Sequence, residues 1–393
     1  MTLFELIKTE LNALFRNPVI TLTVFGGVFF YSFLYPLPYA QQTPREQAIT
    51  VVNLDGSLAS HQLERMVDAT PQIKIINRAH SIIEAKEQFL HSTVRGILVI
   101  PEHFYRDLLL GKSPTLSYSG DASYFLVYGT ITEGLAKAGG TLAAKAKITR
   151  LLADGVPLAL AKEQYSQVKL NMKPTFNPTL GYINYVVPAV FVLILQQTLI
   201  MGIGLLGGSE KTKSGYWNKQ PTFKILAIRT LIFVAIYYLM ALYYFGFSFE
   251  FYGINKLASP IILLALLAPF LLSSAFIGIF LGSVLPRKEL VTLVVLISSM
   301  PLIFSAGFIW PLESLPLAMV YLSNLFPCTP AIQSFLAVNQ MGADFSQIIA
   351  QWQLLWLQVI IWGILAYAAY QRAQQISIKF NRVQKEIVQP INL

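Results

Sequence analysis

Long stretches without charge are the feature that most constrains this chain. Residues 174–372 hold 14 charged side chains in 199 positions, whereas residues 41–173 hold 27 in 133. Over the whole chain apolar residues make up 54% and charged residues 12%, against about 45–50% and about 25% in soluble globular proteins. Because a charged side chain is costly in hydrocarbon, we expect the sparsely charged part to lie in a membrane and the other part in water.

Six windows that are almost free of charge have the length of a membrane-spanning helix. Such a helix needs about 20 apolar residues to cross about 30 Å of hydrocarbon. The windows are residues 19–39, 183–206, 226–247, 260–285, 290–310 and 351–370. They predict a first transmembrane helix within residues 18–40, and five more within residues 177–372.

The first 17 residues have the pattern of an amphipathic helix. Its apolar residues recur at helical spacing, and the polar ones, Glu10 among them, are predicted on the opposite face. We therefore expect an interfacial helix over residues 1–17, lying along the cytoplasmic surface of the membrane. A cleaved signal peptide is the alternative, but the apolar run is long for one and two acids precede it.

Residues 41–176 predict an extracytoplasmic α/β domain. Strand-like and helix-like runs alternate as far as residue 119. Residues 121–171 are then predicted to form a helical hairpin that extends away from the membrane, with a break between its two helices at 154–157. The predicted fold class is an α-helical integral membrane protein with six transmembrane helices plus this inserted α/β domain.

Lysine and arginine in the short connections predict the orientation of the chain. With the first helix inside, twelve cations fall on the cytoplasmic side and only Lys256 on the outer side. Both termini, including the tail 373–393, are therefore predicted in the cytoplasm. The net charge of +9 arises from cations in the short loops next to the apolar spans, where they set the orientation of the chain. A nucleic-acid-binding protein would instead cluster its cations on one face. No nucleic-acid partner is expected.

Prolines interrupt the apolar stretch after the fifth window. Residues 314–343 carry no charge but contain Pro316, Pro327 and Pro330, and each proline removes a backbone donor and clashes with the preceding turn. We expect an outer re-entrant segment over residues 311–340 rather than a seventh span.

The end of the fifth window resembles the signature of the ABC-2 family of transporter permeases. In that family the last-but-one span ends in Gly-Phe-x-x-Pro-x-x-x-x-Pro, and short re-entrant helices follow. Here the pattern is formed by Gly307, Phe308, Pro311 and Pro316. The runs VVNLDGS, RGILVIPEHF and SYSGDAS in residues 41–176 resemble the extracytoplasmic domain of one branch of this family.

The loop 208–221 resembles the segment in which these permeases hold a coupling helix against their ATPase. That helix is often written Glu-basic-x-x-Gly followed by proline, and this chain has Glu210, Lys211, Gly215 and Pro221, with the glycine one residue later than in the pattern. Its only large apolar groups, Tyr216 and Trp217, are expected to lie in a groove of the partner. The alternative is a basic loop that only enforces topology.

The resemblance implies the permease subunit of an ABC exporter in a bacterial plasma membrane. It implies ABC ATPase subunits and a second permease, identical or related, as partners, and it leaves a periplasmic adaptor open. ATP and magnesium would be bound by the ATPase, since this chain has no complete phosphate-binding loop; no catalytic residue, cofactor or metal site is predicted on it. We expect an apolar or amphipathic cargo, because nothing in the spans would stabilise a buried charge. The alternative function is a membrane receptor or assembly scaffold.

Overall fold

The computed structural model describes residues 2–39, 43–165, 173–178, 181–210 and 215–388. The chain divides into two compact units. We call Met1–Ala40 together with Thr175–Leu393 the helical unit, and Gln41–Pro174 the inserted unit.

The chain begins with the amphipathic helix α1, Leu3–Phe15. Thr2 and Glu5 close a capping box at its start, in which each side chain accepts a hydrogen bond from the backbone N–H of the other residue. The buried residues of α1 are Leu6, Glu10 and Leu14, which share one face because they are four apart. The prediction that Glu10 lies on a polar, exposed face is therefore wrong: its side chain has a charged partner inside the protein.

The first span consists of three continuous pieces: α2 (Pro18–Thr21), a π-helical turn (Leu22–Gly26) and α3 (Gly27–Leu34). The Asn17 side chain caps its start, and Pro18 takes the first helical position, where no backbone donor is needed. Leu37–Tyr39 adds a 3₁₀ turn.

The inserted unit contains a four-stranded sheet. The strands are β1 (Gln47–Asn53), β2 (Ile73–Ala79), β3 (Gly96–Ile100) and β4 (Ser117–Gly120). Their order in the sheet is β2-β1-β3-β4; β1 pairs in parallel with β2 and β3, and β4 pairs antiparallel with β3. The helices are α4 (Leu58–Asp68), α5 (Ile82–Leu90), α6 (Phe104–Leu109), α7 (Phe125–Ala153) and α8 (Leu158–Gln164).

Both faces of this sheet are covered. Val51 packs with α4 and α7 on one face, whereas its neighbour Val52 packs with α5 on the other, because successive side chains of a strand point to opposite faces. Helix α7 contributes Leu135 and Leu142 to the first of these cores. The predicted hairpin therefore needs correction: its first helix belongs to the core of the α/β unit. Residues 166–172 lie outside the described part of the chain.

After the inserted unit, the described residues of the helical unit form eight α-helices. They are α9 (Val186–Glu210), α10 (Thr222–Leu242), α11 (Phe249–Tyr252), α12 (Pro260–Val284), α13 (Glu289–Ser305), α14 (Leu317–Ser323), α15 (Cys328–Gln340) and α16 (Ile349–Val388). A π-helical turn joins α10 to α11, and short 3₁₀ turns precede α10, α14 and α16.

Helix α9 is the centre of the helical unit and is almost entirely buried. It packs against α12, α13 and α15. Its contact with α12 is close because three glycines meet there: a Cβ at Gly282 would lie 2.5 Å from the carbonyl oxygen of Gly204, and one at Gly278 would lie 2.8 Å from that of Ile200. Small residues at such a contact allow two membrane helices to approach backbone to backbone.

Five helical segments among the described residues are long and apolar enough to cross a membrane. They are Pro18–Tyr39, Val186–Glu210, Thr222–Tyr252, Pro260–Val284 and Phe345–Lys379. The remaining predicted span, 290–310, corresponds to α13, which has 17 residues and ends at Ser305. At 1.5 Å per residue α13 is about 25 Å long, less than the hydrocarbon thickness. The expected helix end at residue 310 is wrong, and the count of six spans stays a prediction.

Candidate functional site

The loop that follows α9 contains one turn of 3₁₀ helix, Tyr216–Asn218. Gly215 precedes this turn, and Pro221 precedes the first residue of α10. Proline is tolerated at a helix start because a backbone N–H there would have no partner in the helix. Lys211, predicted as a coupling residue, lies outside the described residues, as do its neighbours through residue 214.

A cluster of three buried charges lies at the end of α9. Arg229 of α10 donates two hydrogen bonds to Glu10 of α1, from Nε to Oε2 at 3.0 Å and from Nη2 to Oε1 at 2.9 Å. The same Nη2 donates to Glu210 Oε1 at 2.9 Å. Arg229 is 1% exposed, Glu10 2% and Glu210 9%. One guanidinium thus joins α1, α9 and α10 in a planar, bidentate geometry that lysine cannot reproduce.

Two tyrosines contact this charge cluster. The Tyr216 hydroxyl donates to Glu210 Oε1 at 3.2 Å. Burial is the main cause that raises the pKa of Tyr216 above its usual range, so this phenol keeps its proton and remains a donor at neutral pH. On the other side the Arg229 guanidinium lies 5.9 Å from the ring centroid of Tyr370 on α16, within the range of a cation–π contact.

Trp217 is 3% exposed and packs inside the chain. Its ring meets Tyr370 edge-on, with 6.5 Å between the centroids, and its carbonyl oxygen accepts from Gln374 Nε2 at 2.5 Å. The same Gln374 amide donates to the Gln220 carbonyl at 3.0 Å. The expectation that the Trp217 side chain lies in a partner's groove is therefore wrong: the side chain is buried within the helical unit itself.

The 3₁₀ turn and the start of α10 are tied to α16 by further side chains. Thr222 donates to Gln374 Oε1 at 2.6 Å, and Asn218 donates to Ser377 at 3.2 Å. The large apolar side chain that is exposed beside the loop is Phe223, in the first turn of α10, at 73%. Because this phenylalanine is outside the loop pattern, the sequence offered no signal that distinguished it from the lipid-facing residues that follow.

The second predicted site, the outer re-entrant motif, is assembled around a turn after α13. Gly307 has φ +88° and a Cβ there would lie 2.8 Å from Leu312 Cγ, so this position requires glycine. Phe308 is 8% exposed and belongs to the core of the helical unit. Pro311 precedes the 3₁₀ turn Leu312–Ser314.

The other prolines of this motif lie at helix starts. Pro316 precedes α14 and Pro327 precedes α15, while Pro330 is the third residue of α15, where the backbone N–H would have no partner in the helix. The prolines thus divide the segment into two short helices. Helix α15 packs against α9, α12 and α16, whereas α14 keeps several apolar side chains exposed.

These features define a multi-pass helical membrane protein with a folded unit inserted after its first span. The family model described as ABC-2 family transporter protein matches residues 19–368. The chain therefore belongs to the ABC-2 transporter family: it is a membrane subunit of an ABC transporter, and membership implies association with an ABC ATPase subunit. No curated protein matches the chain.

Proposed function

We propose that this chain is the permease of an ABC exporter, which moves an apolar or amphipathic substrate with energy from ATP hydrolysed on a separate subunit. The observation that carries the proposal is the Glu10–Arg229–Glu210 cluster. It ties the end of α9, where the coupling loop begins, to α1 and α10. A movement of this loop is therefore transmitted to several helices together.

The proposed direction of force is from the ATPase to the loop and from the loop to the bundle. The Tyr216 hydroxyl links the 3₁₀ turn to Glu210, and Gln374 links the same turn to α16. Closure of two ATPase subunits would displace the turn, and these hydrogen bonds would move α9 and α16 with it. The path for the substrate would then lie between this permease and a second one, identical or related.

The orientation in this proposal follows from the distribution of cations. By this proposal, loop 208–221, α1 and the C-terminal end of α16 would lie in the cytoplasm of a bacterial cell, and the inserted unit would lie on the outer side of the inner membrane. An adaptor of the outer envelope would bind on that side. We propose a cargo that carries no unpaired charge into the spans. Arg229, a charged residue within α10, is already paired with two carboxylates and so is not available to balance a charge on the cargo.

The test is a reconstitution with a candidate ABC ATPase subunit, in proteoliposomes containing a fluorescent amphiphile. We expect ATP-dependent movement of the amphiphile and faster hydrolysis when the permease is present. A Tyr216→Phe variant should keep the assembly intact and lower both activities, since it removes one hydrogen bond and leaves the ring. Tyr128→Phe in the inserted unit is the matched control.

Two results would contradict the proposal. Absence of a complex with the ATPase would favour the receptor or scaffold function. A complex whose hydrolysis is independent of Tyr216, with transport unchanged, would reject the loop as the route of coupling.

A further inference from the structure

The inserted unit contains a cavity that the proposed transport function does not use. It lies between α6, the loop 111–116 and α7, and its volume is about 550 Å³. Cavities that bind small molecules in proteins have volumes of about 300–1,000 Å³, mostly apolar walls and a few polar groups. This cavity has both kinds of lining, and they are separated in space.

The floor of the cavity is apolar. Leu63 of α4, Phe104 of α6 and Leu142 of α7 line it, and they are 0%, 3% and 6% exposed. They belong to the core of the inserted unit, so the floor is a fixed surface. An alkyl chain that covered it would be removed from water at a gain of about 25 cal/mol per Å².

The rim of the cavity is cationic. Lys112, Lys147 and Arg150 line it, and all three are exposed; no acidic residue is among the described residues of the lining. Lys147 and Arg150 are three residues apart on α7, which places them side by side. Neither forms an ion pair with a described residue, whereas Lys112 lies 3.8 Å from the Asp107 carboxylate. Two cations are thus available to an anionic group at the mouth.

The Arg150 side chain is positioned by the backbone beside it. Gly111 has φ +70°, and a Cβ at this position would lie 1.7 Å from Arg150 Nη1. The guanidinium therefore rests directly on the glycine, at the edge of the cavity. Any larger residue at position 111 would displace it and would also be strained in this backbone conformation.

We propose that this cavity binds a single-chain amphiphile with an anionic head. The alkyl chain lies on Leu63, Phe104 and Leu142, and the head is held by Lys147 and Arg150, with Lys112 nearby. A carboxylate and a phosphate head share this chemistry. The site is a property of the inserted unit and does not depend on export.

The test uses the full chain in nanodiscs of zwitterionic lipid, without ATPase. A twelve-carbon carboxylate carrying a photoreactive diazirine is cross-linked, and the labelled peptides are identified by mass spectrometry. We expect saturable labelling within residues 104–116 and 139–150, because these segments line the cavity. Saturable labelling confined to the helical unit would overturn the proposal.

Two double variants test the charges. Lys147→Gln with Arg150→Gln should weaken labelling of the cavity peptides at least about fivefold, as expected for the loss of two charge-assisted contacts. The matched control is Lys86→Gln with Lys145→Gln, which removes two exposed cations of the inserted unit that lie outside the lining and form no ion pair with a described residue. Equal loss in both pairs would mean that only the net charge attracts the probe.

A third variant tests the volume of the cavity without changing its charge. Ala143 lines the cavity and is exposed, so Ala143→Phe should fill the space and abolish labelling while the melting temperature stays unchanged. Competition then identifies the head. Dodecanoate and dodecyl phosphate should displace the probe, and the stronger of the two defines the preferred anion. Equal competition by dodecanol or dodecylamine would overturn the anionic specificity.

Discussion

Arg229 and Glu10 form a bidentate ion pair between residues that are 219 positions apart in the sequence. The pair joins an N-terminal helix, which precedes the first span, to the third long helix of the bundle. Since Arg229 also binds Glu210, two carboxylates share one guanidinium in a buried site. We therefore expect the stability of the protein to depend on which of the three charged side chains is removed.

Arg229→Gln should destabilise the protein more than Glu10→Gln. Loss of the arginine leaves two buried carboxylates facing each other, at a cost of about 3–5 kcal/mol or more. Loss of one glutamate leaves a balanced pair and costs about 1–3 kcal/mol. Thermal unfolding in detergent measures both. Glu5→Gln is the control, because Glu5 is exposed and glutamine preserves the capping box; equal shifts in all three variants would contradict the buried pairing.

Trp217→Ala should destabilise the helical unit by about 3–5 kcal/mol, the cost of removing a large buried aromatic side chain. The reason is that Trp217 is 3% exposed and packs on Tyr370. Trp310, 55% exposed, provides the matched control, and Trp310→Ala should change the melting temperature little. A folded, fully stable Trp217→Ala protein that fails to bind the ATPase would restore the role of Trp217 as a partner contact.

Phe223→Ala should weaken co-purification with the ATPase without lowering the melting temperature. The side chain is 73% exposed beside the coupling loop, and truncation of an aromatic hot spot costs about 2 kcal/mol, or roughly thirtyfold in affinity. Phe247 follows α10 and is 58% exposed, so Phe247→Ala is the control. Unchanged binding by Phe223→Ala, or equal loss in both variants, would remove Phe223 from the interface.

Cysteine accessibility should decide between five and six crossings. In a Cys328→Ala background, Asp121→Cys should be labelled from outside by a charged reagent, whereas Lys219→Cys and Lys379→Cys should be labelled only after permeabilisation. An outside signal from position 379 together with an inside one from position 219 would mean that α13 does not cross the bilayer.

Cys328 should react slowly with bulky charged thiol reagents, because its side chain is 0% exposed in the core of the helical unit. A small neutral reagent applied from the outer side should reach it at a rate limited by local opening. Modification is followed by mass spectrometry. Rapid reaction from the cytoplasmic side alone would contradict the outer placement of residues 311–340.

Local sequence patterns alone determined a large part of this architecture. The apolar windows predicted where the long helices begin to within a few residues, since a helix in hydrocarbon needs an uninterrupted apolar run of a given length. They did not predict every helix end: α13 ends at Ser305 rather than at residue 310, and α16 continues to Val388. The four strands fall within the stretch in which strand-like and helix-like runs alternate, and the proline-interrupted segment 311–340 contains two short helices rather than one long one. These features depend on residues close together in the chain, so a one-dimensional pattern contains them.

Only the tertiary structure decided which polar groups meet and which aromatics are buried. The helical spacing of α1 predicts an apolar and a polar face, but it does not predict that Glu10 pairs with a guanidinium 219 residues away. Trp217, in the basic loop, and Phe223, just after it, are both aromatic residues with no difference in local pattern. Trp217 is nevertheless 3% exposed and Phe223 73% exposed. Pairing and burial depend on packing between distant helices, and this long-range geometry has no local signature in the sequence.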